Sequence, residues 1–107
     1  MTYSLRGKLI DCILKSVKSL DETGVKCRAV IYVNKDCYHY NYLKIKQKTK
    51  PIDGFFRLHI DKYSTDLGGW LCYYSKFTKI KNEDDVFDIL VQVLQEIINQ
   101  GIKNLLK

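Results

Sequence analysis

Most of the features that announce a function are missing from these 107 residues. There is one proline, one tryptophan and one methionine, and no internal repeat or low-complexity stretch. No segment is both poor in apolar residues and rich in charge, so none has the composition of a disordered linker. A chain of this length buries one two-layer core and not two, so a single domain over 1–107 is expected. No uncharged run approaches the roughly 18 residues that a membrane-spanning helix requires; Asp88, Glu96 and Lys103 interrupt the apolar tail. Near the start, Asp11 and Lys15 break the apolar stretch before it reaches the length of a secretory signal, and no small-residue cleavage site follows. The expectation is a cytoplasmic chain with no membrane partner.

Chemical motifs are equally scarce. There is no CxxC, no HExxH and no histidine pair at helical spacing. Cys37 and His39 alternate on one strand-like segment and His59 lies on another, which is the nearest approach to a ligand set, so neither a metal nor a cofactor is expected. His59 and Asp61 share strand parity and could form an acid–base pair, yet no nucleophile, oxyanion donor or phosphate cradle stands near them in the sequence. Gly68 and Gly69 mark a turn, not a GxGxxG or P-loop. No catalytic residue is assigned, and a protein that is not an enzyme is expected. Cys12, Cys27, Cys37 and Cys72 stand singly among apolar residues and read as small hydrophobes filling a core in a reducing compartment.

What the chain does have is basic charge, unevenly placed. Residues 1–50 carry 11 Lys+Arg against 4 Asp+Glu, residues 51–81 carry 5 against 3, and residues 82–107 carry 2 against 5. Such a polarity steers anionic partners toward the first two thirds of the molecule. Fifteen of the eighteen cations are lysine, which suits phosphate attraction better than bidentate base reading.

Apolar spacing predicts an amphipathic helix over Leu5 to Leu20, ended by Asp21 to Gly24. Cys27 to Val33 and Cys37 to Ile45 read as strands around a turn at Asn34 to Asp36, and Phe55 to Tyr63 and Trp70 to Phe77 as a second pair. Asn82 is a good N-cap, and the acids at 83–85 favour a helix running from there toward Leu106. The fold expected is α+β: a helix, a four-stranded antiparallel meander and a C-terminal helix, with both helices packed on one sheet face. This order resembles that of the double-stranded RNA-binding domain, but that family presents lysines at the start of its last helix where Glu83, Asp84 and Asp85 stand here, so no residue role is carried over.

Pairing Tyr63 with Trp70 and Phe56 with Phe77 places Phe56, Leu58, Ile60, Leu71, Tyr73 and Phe77 under the helices. The opposite face then carries Lys26, Arg28, Val30, Tyr32, Arg57, His59, Trp70, Tyr74 and Lys76. If Leu43 and Ile45 are buried, Tyr38, Tyr40, Tyr42, Lys44, Lys46 and Lys48 join that face; a shorter turn at Lys35 and Asp36 turns the tyrosines into the core instead. Rings for stacking and cations for phosphates are what single-stranded nucleic acid requires. The expected partner is therefore nucleic acid, single-stranded by preference, or an enzyme that processes it, bound by a non-enzymatic accessory protein. The alternative lies in the tail helix. Phe87, Val91, Leu94, Ile98, Ile102 and Leu105 make a second apolar stripe beside Val86, Ile89, Leu90, Val93 and Ile97, so Phe87, Val91, Leu94 and Ile98 could hold a protein partner or a second copy. An inhibitor, immunity or subunit protein, of the kind AT-rich phages and mobile elements encode, would use that stripe.

Overall fold

Helical spacing at both ends of the chain and strand alternation between them are realised as six elements. The computed structural model describes residues 5–22, 24–40 and 51–105. In chain order these are α1 (Leu5–Glu22), β1 (Cys27–Val33), β2 (Asp36–Tyr40), β3 (Phe55–Ser64), β4 (Gly69–Lys79) and α2 (Glu83–Leu105). The α+β architecture of helix, four antiparallel strands and helix is present, and both helices pack on one face of the sheet.

The start of α2 is fixed by reciprocal capping. Asn82 Oδ1 accepts hydrogen bonds from the backbone N–H groups of Asp84 and Asp85 at 3.0 and 3.2 Å, and Asp85 Oδ2 accepts from those of Lys81 and Asn82 at 2.8 and 3.1 Å. Backbone donors at the helix start are thereby satisfied, with Asp85 N–H shared with Asn82 O at 3.1 Å, an arrangement typically contributing about 1 kcal/mol.

The strand order is β2-β1-β3-β4, with every neighbouring pair antiparallel. Two hairpins thus meet along β1 and β3. The inward residues of these central strands, Ala29, Ile31, Val33, Phe56, Leu58 and Ile60, are buried against Ile10, Ile13 and Val17 of α1 and Val86, Leu90, Val93 and Ile97 of α2. At about 1.5–3 kcal/mol for each large side chain removed from water, this layer is the main source of stability.

Two local features decide which side chains face which way. The first is the turn between β1 and β2, which contains only Asn34 and Lys35, because Val33 pairs with Asp36. Asn34 takes a φ of 56°, a left-handed conformation that asparagine tolerates better than most residues. Its side chain accepts the N–H of Gly54 at 2.9 Å and its own N–H donates to Phe55 O at 3.0 Å, tying the turn to the start of β3. This turn lies one residue before the shorter turn expected at Lys35 and Asp36 but gives the same parity, so Tyr38 lies opposite Ile31 and Tyr40 opposite Ala29, both on the helix side. The second is a β-bulge in β4: Ile60 pairs with Tyr74 while Asp61 pairs with Cys72, leaving Tyr73 as the extra residue. Its carbonyl accepts a hydrogen bond from Gln100 Nε2 of α2 at 2.8 Å. Beyond the bulge the parity of β4 is reversed.

The placements of Tyr40, Tyr74, Lys76 and Phe77 are corrected as a result, and that of the cysteines independently. Tyr40 points inward, where its hydroxyl donates to Asp21 Oδ2 at the end of α1. Tyr74 also points inward, donating to Glu96 of α2, and Lys76 lies 3.9 Å from the same carboxylate. Phe77, expected under the helices, lies on the outer face and is 52% exposed. Among the cysteines only Cys27 is buried; Cys12 falls outside the apolar stripe of α1, and Cys37 and Cys72 sit on the outward parity of the edge strands.

Candidate nucleic-acid interface

Strand parity assembles the outer face from the side chains that the core leaves over. β1 contributes Arg28, Val30 and Tyr32, β3 contributes Phe55, Arg57, His59, Asp61 and Tyr63, and β4 contributes Trp70, Cys72, Ser75, Phe77 and Lys79. Of the residues expected on this face, Arg28, Tyr32, Arg57, His59 and Trp70 lie there. Tyr40, Tyr74 and Lys76 do not, for the register reasons given above. Tyr42, Lys44, Lys46 and Lys48 lie outside the described residues.

Three rings of this face, exposed Tyr63 and Phe77 and half-buried Trp70, are each accompanied by a cation. Arg28 Cζ lies 4.2 Å from the ring centroid of Trp70, Arg57 Cζ 4.9 Å from that of Phe77, and Lys26 Nζ 5.9 Å from that of Tyr63. The negative face of an aromatic ring attracts such cations by about 0.5–1 kcal/mol where both are wet. The rings also pair with one another. Tyr63 meets Trp70 edge-on at 5.4 Å, and Phe55 stacks on Phe77 at 5.1 Å with the planes 2° apart. Two aromatic groups result, separated along β4 by the seven residues from Trp70 to Phe77, or about 20 Å at strand rise.

Between them lies one buried acid. Asp61 is 5% exposed, and its two oxygens are divided between Arg28 Nε at 3.0 Å and His59 Nε2 at 2.6 Å. A carboxylate taken from water on a sheet surface is tolerated only when paired in this way. Its effect is positional: Asp61 holds the Arg28 guanidinium in place over Trp70. Arg57 and Lys26 make no ion pair among the described residues and keep their charge available.

Part of the face is closed. Tyr32 is 2% exposed and Val30 is buried beside it, so Tyr32 cannot offer a stacking surface although its parity is outward. With Ile52, Phe55, Arg57 and Phe77 it lines a shallow apolar depression. The accessible part is the β3–β4 half. Sequence reasoning missed Phe77 and Tyr63 as exposed rings of this half; the adjacent pair Tyr73–Tyr74, which breaks strict alternation, is the signal that marks the bulge.

His59 and Asp61 form the pair that parity anticipated, yet no serine or threonine hydroxyl and no thiol is bonded to His59 among the described residues. Burial, helped by the charge of Asp21, pushes the Cys27 thiol up from its ordinary value with Lys62 opposing, which leaves it a poor nucleophile. No three His, Cys, Asp or Glu side chains gather to hold a metal among the described residues, and no described helix is long and apolar enough to cross a membrane.

On the helix layer, the second stripe of α2 lies at the surface. Phe87 is 41% exposed and Ile98 50%, while Val91 and Leu94 are half-buried. Comparison with family models, with curated proteins and with solved structures finds no match to this chain.

Proposed function

We propose that this chain is a small non-enzymatic protein that binds single-stranded nucleic acid through the β3–β4 half of its outer sheet face. The observation that carries the reading is the coupling of three rings to cations: half-buried Trp70 to Arg28, and exposed Phe77 and Tyr63 to Arg57 and Lys26. Rings presented on a rigid sheet give unpaired bases a surface to stack on, worth about 1–3 kcal/mol per base. Lys26, Arg57 and Lys79 attract the phosphates around them, and a guanidinium already lying on a ring extends the flat surface a base can cover. A single strand fits this arrangement better than a duplex, whose bases are stacked on one another and present no free face. Lysine-rich charge with no guanidinium left free to fork onto a base edge, other than Arg57, favours weak sequence preference.

Fluorescence anisotropy with a labelled mixed-sequence oligonucleotide tests the proposal. Binding in the micromolar range at low salt is expected, weakening as salt rises, with a duplex of the same sequence binding less tightly. Absence of any anisotropy change at micromolar protein and low salt would overturn it.

A further inference from the structure

α2 carries an apolar row that the core uses only in part, since Leu94 packs against its margin. Val86, Leu90, Val93 and Ile97 are buried, and beside them Phe87, Val91, Leu94, Ile98 and Ile102 follow at spacings of four, three, four and four residues. Such spacing keeps one stripe of a helix facing one way. Phe87, Ile98 and Ile102 are 41%, 50% and 50% exposed. Three large hydrophobes in one line on a small domain mark a contact surface.

The pattern of this row specifies what covers it. Phe87 with Ile102 and Val91 with Ile98 share one midpoint, immediately after Leu94. Reversed in direction, the row therefore meets itself. The two ends of α2 also differ in charge, with Glu83, Asp84 and Asp85 in the first turn and Lys103 in the last. Antiparallel pairing of two such helices sets the acidic start of each near the basic end of the other and opposes their dipoles. Parallel pairing would place the acids of both copies together.

We propose that a second copy of this chain docks on α2, forming a two-fold dimer in which Leu94 lies at the axis, Phe87 packs on the partner's Ile102 and Val91 on the partner's Ile98. A closed two-fold contact of one surface with itself is the commonest form of self-association. A seam of five residues along one helix buries less than the roughly 800 Å² per partner of a standard interface, so half-dimerisation is expected on the order of 10–100 μM. The dimer does not depend on the nucleic-acid reading, because α2 lies on the other side of the sheet from the outer face. It leaves both outer faces free.

Sedimentation velocity on the full chain, from low micromolar to about 1 mM protein, tests the dimer in the range where an interface of this size associates. A concentration-dependent shift from monomer to dimer is expected. Ile98→Glu and, separately, Phe87→Glu are expected to weaken association at least tenfold while leaving the helical circular dichroism unchanged, since both positions are exposed. Lys103→Glu, which sets acid near acid across the seam, is expected to weaken it a few-fold. A chain that stays monomeric over the whole range overturns the proposal, as does a dimer that survives both glutamate substitutions.

Discussion

The two faces of the sheet are built from the same four strands on opposite principles. Under the helices, Phe56, Leu58 and Ile60 of β3 are excluded from water within the apolar core cluster. On the other side of the same strand, Arg57, His59 and Asp61 alternate with them and are held by charge and ring contacts: Asp61 to Arg28 and His59, and Arg57 to Phe77. The inner face is stabilised by removal from water, the outer by pairwise contacts of modest strength. The first is expensive to alter, whereas the second can exchange its contacts with a ligand.

Substitutions along β3 and β4 should separate the two faces sharply. Leu58→Ala removes a fully buried side chain and is expected to cost about 2–5 kcal/mol of unfolding free energy, read by urea denaturation. On the outer face the largest effect belongs to Asp61→Ala, which strands Arg28 without its carboxylate; about 1.5–3 kcal/mol is expected, with a red-shifted, more accessible Trp70 emission as the guanidinium leaves the ring. A loss at Asp61 clearly greater than that at Leu58 would erase the distinction drawn between the faces.

Tyr74 offers a pH-dependent version of the comparison, because it is a polar group on the apolar side. Burial first, and then the hydrogen bond and negative charge of Glu96, push its phenol well above the ordinary tyrosine range. Since the folded state favours the protonated phenol, this contribution is complete below the unfolded value of about 10 and is lost as pH rises above it toward the folded one. Tyr74→Phe is therefore expected to lower stability at neutral pH by about 1 kcal/mol and to make the decline above pH ~10 shallower than in the unsubstituted chain. An unchanged alkaline slope would contradict the placement of Tyr74 against Glu96. The smallest effect on folding should come from Phe77→Ser, at less than about 1 kcal/mol, although this variant should bind a single-stranded oligonucleotide several-fold more weakly.

Element order was legible in the sequence because the helices announce themselves by apolar spacing and Asn82 by its capping role. Membership of the core was legible for β3, where Phe56, Leu58 and Ile60 alternate with polar residues. The outer face was legible only in part, since two single-residue events set it. A two-residue turn at Asn34–Lys35 sends Tyr38 and Tyr40 inward, and the bulge at Tyr73 exchanges Phe77 for Tyr74 and Lys76. The turn moves a whole strand segment to the other face while leaving its periodicity intact, so alternation alone could not reveal it, whereas the bulge leaves only the adjacent Tyr73 and Tyr74 as its mark. One signal was overlooked: Ala29 to Val33 contains no polar residue, as expected for a strand covered on both faces, which is why Tyr32 is buried despite its outward parity.

Trp70 is the chain's one tryptophan and stands within the proposed contact, so its own fluorescence reports on the face without any label. Titration of the unsubstituted protein and of Arg57→Ala with an unlabelled single-stranded oligonucleotide is the most direct measurement. Quenching of Trp70 that saturates at micromolar oligonucleotide, weakens with added salt and shifts to several-fold higher concentration in Arg57→Ala is the expected result. Emission that stays constant at low salt, or a titration that Arg57→Ala leaves unmoved, would show that the ring-and-cation face does not bind nucleic acid.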